Sequence, residues 1–399
     1  MTSEQQNPLA VDKISSLILR FSVPSIIAML VSAVYNIADQ LFIGNAVGTL
    51  GNAATNIAFP LAMMCTGLGL LFGIGGAASF NLHMGAGKKE KAPYFVGNAI
   101  TMLLTVGILL FAITELFLNP LLVGFGSPAD VLPLARQYVR VTAIGFPFLI
   151  LTIGSGHLIR ADGSPKMAMF VNISGAVINI VLDIVFVSQF HMGVAGVAYA
   201  TVIAQAISAV LCMWRLMRMT DIFDFRPKYL KMKKQYSMEI IRLGLPSGIT
   251  QAIFSMAMVI VQSLTNSFGE MVIAANVIIM RVDGFAMMPN FSFGTAMTTY
   301  AGQNVGARRM DRVEQGAKQG TLVAVGTSTT ITLLIVIFGH HLMGIFTNTT
   351  ELVTLSANMM KILAVGYIAM AITQSLSGVM RGAAVSYTHL RAHETDSYL

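Results

Sequence analysis

The chain has 399 residues, of which 55% are hydrophobic and only 11% charged, against about 25% charged in soluble proteins. Its mean hydropathy of +0.71 excludes an ordinary soluble domain. The net charge of +7 is read as basic cytoplasmic loops of a polytopic helical membrane protein, not as a nucleic-acid surface.

The first thirteen residues, MTSEQQNPLAVDK, form a polar lead-in without the apolar core and small-residue cleavage site of a signal peptide. Ten apolar stretches follow, at 17–43, 53–80, 95–118, 138–159, 167–187, 194–214, 240–264, 272–300, 320–340 and 353–379. Each suits a crossing of roughly 20 residues. Between them, GAGKKEKAP, RADGSPK, the long stretch 215–242 and GARRMDRVEQGAK carry nearly all the Lys and Arg, while the alternate loops carry none. Arg136 and Arg140, at the outer end of the fourth span, are the exception. This asymmetry places the N-terminus and the basic loops in the cytoplasm. The charges of 215–242 serve topology, with anionic lipid heads as a second reading. Cys65 and Cys212 both lie in apolar segments, as unpaired small hydrophobes. The 27 Met residues are read mainly as filler and lipid-facing side chains. Pro24, Pro60, Pro147, Pro246 and Pro289 lie within or at the ends of spans, where kinks are tolerated.

The two halves repeat each other. LRFSVPS at 19–25 is echoed by IRLGLPS at 241–247, GAGKK at 85–89 by GARRM at 306–310, and HLIRADG at 157–163 by GVMRGAA at 378–384. Pro24 and Pro246 are 222 apart; Gly85 and Gly306, like Arg160 and Arg381, are 221 apart. Six spans precede the second copy, so both copies have the same orientation, and any central site is expected between them. The expected fold is therefore an all-α membrane protein of two six-helix bundles, the second truncated after four helices. The expected parts are an N-terminal lobe at 1–218, a basic linker at 219–239, a C-terminal lobe at 240–384 and a tail at 385–399. VSYTHLRAHET in that tail is identified as the translation of a sequencing adapter, so a native chain is expected to continue with two further helices. His389, His393 and Glu394 are not taken as a metal cluster.

Ionisable residues inside spans are costly and mark ion or substrate paths. Asp39, Asp183 and Asp283 are the carboxylates well inside spans, with Glu115 near the outer end of the third. Asn179 and Asp183 are four apart, and Asn36 and Asp39 three apart, so each pair shares a helix face. Such oxygen-rich faces suit a hard cation, and a buried carboxyl can hold a proton instead. Interhelical hydrogen bonding is the structural alternative. Arg281 and Asp283 are two apart and point to different faces, as candidates for gating or packing.

Several of these segments resemble the multidrug and toxin extrusion (MATE) transporters of bacteria. They are RVDGFAMMPNFSFGTAMTTYAGQNVGARRMDRV at 281–313, FSVPSIIAMLVSAVYNIADQLFIG at 21–44 and IRADGSPKMAMFVNISGAVINIVLDIVF at 159–186. The resemblance runs from about 14 to 383. It implies a secondary antiporter in the bacterial cytoplasmic membrane that exports cationic or amphipathic drugs and toxins in exchange for Na⁺ or H⁺. Asp39, Asn179, Asp183 and Thr201 match that family's N-terminal-lobe cation site, with Asn36, Arg281 and Asp283 as accessory candidates. The seventh span holds Gln251 and Gln262 but no carboxylate, and the repeat partner of Asp39 is Val261, so coupling is expected to be one-sided. No cofactor or metal beyond a coupling Na⁺ is implied. The expected partners are small-molecule substrates and membrane lipids, and a monomer is expected.

The alternative is a lipid-linked saccharide flippase of the same superfamily, whose cavity would be lined with cations; few Lys or Arg lie inside these spans. An intramembrane aspartyl protease needs Gly-x-Gly-Asp, whereas these carboxylates sit in NIAD, IVLD and MRVD. A serine protease of this type needs Gly-x-Ser-Gly, and IGSG at 153–156 lacks its first Gly. No enzyme is expected, and a channel is distinguished from an antiporter by counter-transport.

Overall fold

The computed structural model describes the backbone of residues 13–219 and 226–396, with side chains up to Ala383 apart from Thr49, Val259 and Asn266. Among the described residues the protein is helical throughout, with no strand. The long elements are α1 (Ile14–Val47), α2 (Thr49–Gly85), α3 (Ala92–Leu116), α5 (Leu132–Ile144), α6 (Phe146–Ala161), α7 (Pro165–Asp183), α8 (Gly193–Met217), α10 (Lys234–Asn266), α11 (Glu270–Gly306), α12 (Met310–Gly344) and α13 (Thr350–Asp396). Short helices α4 (Leu118–Gly124) and α9 (Pro227–Leu230) join them. The proposed adapter side chains lie outside the described residues.

Nine described helices are long and apolar enough to cross a bilayer, and ten spans result when α5 and α6 count as one. Helices dominate because a membrane offers no water to satisfy backbone N–H and C=O groups, so each segment must satisfy its own. The outward faces are apolar. Ile362, Leu322 and Ile337, each more than 60% exposed, would be anomalous in a soluble protein but are ordinary facing lipid.

The fourth span is broken. α5 and α6 meet at 52°, where the sequence predicts one continuous span. Pro147, in the first turn of α6, has no N–H to continue the ladder from the preceding turn, so the helix stops and restarts. Gly145 at the break leaves room for Gln205: a Cβ there would stand 2.5 Å from the Gln205 Oε1. The four other prolines lie inside continuous helices. α7 ends differently. Beyond Asp183 the chain winds into a π-helical turn, Ile184–Gln189, a form that recurs at functional sites.

By contacts the chain divides into two compact units. One comprises residues 1–26, 84–87 and 250–399; the other comprises 27–83 and 88–249. These borders fall inside α1, α2 and α10, and the lobe boundary read from the sequence at 239/240 also falls inside α10, whose first six residues belong to the expected linker. In the first unit, Ile14, Leu17, Ile18 and Phe21 from the start of α1 pack with Phe293, Ala296, Met297 and Tyr300 of α11. A second cluster there joins Ile278 and Ile279 of α11, Ile335 and Met343 of α12, and Met360 and Tyr367 of α13. In the second unit, Ile43, Val187 and Val197 bring α1, the π turn and α8 together. Cys65 and Cys212 are both buried and free.

The segment around α9 is fastened to α3 within the second unit. Asn98 donates to the carbonyls of Tyr229 (3.2 Å) and Lys231 (3.4 Å), and its Oδ1 accepts from the Lys233 N–H (2.9 Å) and the Ser237 hydroxyl (3.2 Å). Thr101 donates to the Leu230 carbonyl at 2.8 Å. Tyr94 stacks on Tyr236 with ring centroids 4.9 Å apart. One buried amide thus anchors much of the described linker backbone.

Candidate cation site

Three helices of the second unit supply the residues singled out in the sequence. α1 brings Tyr35, Asn36, Asp39 and Gln40, α7 brings Asn179 and Asp183, and α8 brings Thr201. The four-residue spacings of Tyr35 to Asp39 and of Asn179 to Asp183 put each pair on one helix face. A cavity of about 610 Å³ lies against α1, α2, α5, α6 and α8, with Asp39, Gln40, Thr55, Tyr138, Thr201 and Gln205 in its wall.

Asp183 is fully buried, and Asn179 and Asp39 are nearly so. The Asn179 amide reaches the Thr201 hydroxyl at 3.5 Å, the long limit for a hydrogen bond. The Asp39 and Asp183 carboxyls are immediate neighbours, yet no hydrogen bond of ordinary geometry joins them. Both oxygens of Asp183, one of Asp39 and the Asn179 Oδ1 are buried without a hydrogen-bond partner among the described residues. Buried polar atoms are nearly always satisfied in folded proteins. Four acceptor oxygens left open in one place, two carboxylates among them, form a set that a hard cation or a proton completes.

The other predicted residues are placed differently. Asn36 lines the same cavity but spends its amide on the Ser32 carbonyl at 2.8 Å. Arg281 and Asp283 belong to the first unit and go to separate partners: the Arg281 guanidinium lies 5.9 Å from the Phe346 ring, and Asp283 Oδ1 accepts from the Tyr367 hydroxyl at 2.8 Å. Nearby, Asn290 donates to the Tyr367 carbonyl (3.2 Å) and accepts from Ser328 (2.7 Å). Val261, the repeat partner of Asp39, is an exposed apolar residue. Glu115 pairs with Arg140 at 3.6 Å.

The sequence reading missed several site residues. Tyr35 and Tyr138 flank the two carboxyls. Tyr35 was detectable, four residues before Asp39 on its face; Tyr138 was not, because it lies about 100 residues from Asp39 and only the packing of α5 brings it close. Gln40 and Thr55 tie α1 to α2 at 3.3 Å.

Outside the spans, on the loop after α6, Asp162 pairs with Arg215, which also donates to Ser164 at 2.7 Å. Burial raises the Asp162 carboxyl to about 6 even though the Arg215 charge pulls the other way.

A helical chain of nine or ten apolar spans, duplicated along its length and placing one carboxylate of a buried pair in the wall of a cavity, has the architecture of a multi-pass membrane transporter. The MatE family model matches residues 24–185 and 246–392, and the chain belongs to the MATE family. It is a transporter and not an enzyme. The fold class and the family expected from the sequence are both borne out.

Among relatives, the chain is 26% identical over 368 residues to the probable multidrug resistance protein YoeA of Bacillus subtilis, covering 90% of this chain and 80% of that one. It is 28% identical to the probable multidrug resistance protein YpnP of the same organism, covering 91% and 81%. It is 24% identical to the multidrug export protein MepA of Staphylococcus aureus, covering 86% and 76%. Among solved structures, an outward-facing multidrug resistance MATE transporter of the MOP superfamily superposes with a TM-score of 0.89 at 23% identity, over 97% of this chain and 87% of that one. A MOP superfamily transporter from Pyrococcus furiosus, described as having a binding pocket of reverse polarity, superposes with a TM-score of 0.88 at 22% identity, over 96% and 85%.

Proposed function

We propose that this protein is a secondary antiporter of the bacterial cytoplasmic membrane, acting as a monomer with its N-terminus in the cytoplasm. It exports cationic or amphipathic drugs in exchange for Na⁺ or H⁺, which Asp39, Asn179, Asp183 and Thr201 bind. The observation that carries this reading is the set of buried, unpartnered oxygens on α1 and α7. Two adjacent carboxylates repel unless a proton or a cation lies between them, so their occupancy is a switch. Relatives named for multidrug resistance or export support the substrate class.

The switch works through differential affinity. Binding of Na⁺ or H⁺ draws Asp39 and Asp183 together and favours the arrangement of α1 and α7 that grips drug less well. A coupling of about 1–3 kcal/mol between the two ligands suffices for exchange. The cavity then opens alternately to the two sides of the membrane. Asn179 and Thr201 offer neutral oxygens to Na⁺, or bond a protonated carboxyl.

The test is efflux of a fluorescent cationic dye from proteoliposomes under separately imposed Na⁺ and pH gradients. One gradient should drive efflux in the wild type and neither should in Asp39→Asn or Asp183→Asn. Dye flux at the wild-type rate in both variants sinks the proposal, and flux down the dye's own gradient with no ion coupling indicates a channel.

A further inference from the structure

A second cavity of the same unit, about 330 Å³, lies beside the cation site and shares Tyr35, Thr66, Leu149, Thr201 and Gln205 with the larger one. Its character is opposite. Of its lining residues, one carries a permanent charge, Arg160 in the last turn of α6, and none is Asp or Glu. The same wall includes Thr152 and His157 of α6, Asn172 of α7 and Ser208 of α8. The Arg160 Nε and the Thr152 hydroxyl are both buried with no hydrogen-bond partner among the described residues.

An arginine cannot shed its charge in a protein, and a buried donor of a charged group left unpaired is unfavourable. The nearest carboxylate in sequence, Asp162, is held by Arg215 and Ser164. The titratable groups in or beside this wall, Tyr35, His157 and the thiol of Cys212, supply no permanent negative charge to Arg160. Small residues keep the space open: Gly156, Gly175, Ala176 and Ala204 all line it. A Cβ on Gly156 would stand 3.3 Å from the Arg160 Nη1.

We propose that this cavity is an anion site, in which Arg160 and Thr152 hold a small monovalent anion, chloride or a compact carboxylate, alongside the cation site. A guanidinium with an added hydroxyl donor suits such an anion because charge-assisted hydrogen bonds from Arg are the strong ones. The anion neutralises Arg160, so that its positive charge does not oppose cation entry into the adjoining cavity. Net loading then approaches a neutral ion pair. Anion binding itself needs only the second cavity; the charge-balancing role rests on the ion-coupling reading.

The test is thermal unfolding of the purified full chain in potassium gluconate, with chloride or acetate substituted at constant ionic strength. Chloride should raise the wild-type midpoint by several degrees. That rise should vanish in Arg160→Gln, weaken in Thr152→Val and persist in part in Arg160→Lys. A response to acetate but not chloride assigns the site to carboxylates and keeps the proposal. No response to either anion overturns it, as does an equal response in Arg160→Gln. Should Arg160→Gln fail to fold, Thr152→Val together with bromide-soaked crystals of the wild type decides: no anomalous peak beside Arg160 overturns the proposal. Asp39→Asn should keep the chloride response, which separates this site from the cation site.

Discussion

Removing one charge from the carboxylate pair should make the ion-free protein more stable while destroying its response to ions. Asp183 is fully buried and both of its oxygens lack partners, as does one oxygen of its neighbour Asp39. A buried polar group left unsatisfied costs roughly 1–3 kcal/mol, more when charged. Asp183→Asn removes one like charge and supplies an NH₂ donor that can reach the Asp39 carboxylate. In Na⁺-free buffer at neutral pH the variant should therefore gain on the order of 1–3 kcal/mol, a shift of a few degrees in a chain of this size. The wild type recovers its deficit by binding its ion; a ligand at 100 times its Kd stabilises by about 2.7 kcal/mol. Scanning fluorimetry in choline buffer, titrated with NaCl or acidified, reads both effects and shows which ion acts. If Asp183→Asn unfolds below the wild type in ion-free buffer and keeps the wild-type ion response, the open oxygens are not an ion site and the reasoning fails.

Three further outcomes follow from the packing and the loops. A Cβ on Gly244 of α10 would collide with the Leu71 carbonyl of α2, so Gly244→Ala should cost about 1–3 kcal/mol in thermal stability; Gly326→Ala, with nothing within 4 Å, should be neutral or slightly stabilising, and equal behaviour of the two would refute the contact. Asn98→Ala removes the anchor of the α9 segment and should speed tryptic cleavage at Lys231 and Lys233 severalfold, whereas unchanged digestion would show that the anchor holds nothing. Asp162 holds its proton in the folded state up to about 6, against 3.8 in the unfolded chain, so its contribution is most favourable below about pH 4, falls between 4 and 6, and is flat above. The difference in unfolding free energy between wild type and Asp162→Asn should decline over that window by on the order of 3 kcal/mol, and a difference independent of pH would contradict the burial argument.

The spans were legible because backbone satisfaction in a bilayer leaves only long apolar helices, and their length shows in any sliding window. The face shared by Asn179 and Asp183 was legible for the same local reason, a spacing of four. What escaped was set by packing between helices. The stop at Gly145 hides inside an apolar run, and the place of Tyr138 near the carboxyls depends on how α5 packs. The π turn after Asp183 has no marker in IVFVSQ. Asn98 reads as one polar residue at the start of a span; four of its five hydrogen bonds go to residues more than 130 positions away. Arg160 was noticed only as a repeat marker, since nothing local shows that its nearest carboxylate is taken by Arg215.

The membrane-embedded carboxylates of the two units sit in different surroundings, and this difference bears on where the ion chemistry is proposed to reside. In the first unit Asp283 accepts from Tyr367, and Asn290 is satisfied by Tyr367 and Ser328. A fully connected network of this kind rigidifies its helices, because breaking any bond exposes another group to desolvation. Around Asp39 and Asp183 the oxygens outnumber the donors, and the helices that carry them are held by weaker ties, such as the 3.5 Å contact between Asn179 and Thr201. An element changes arrangement with a ligand only when the ligand interacts differently with its two states. Satisfied groups have little left to offer an incoming ion. Open acceptors have the most, so on the proposed reading ion-dependent movement is expected in α1 and α7, with Asp283 expected to serve as a fixed strut. Tyr367→Phe should accordingly lower stability without changing which ion drives efflux, the reverse of the pattern expected for Asp183→Asn.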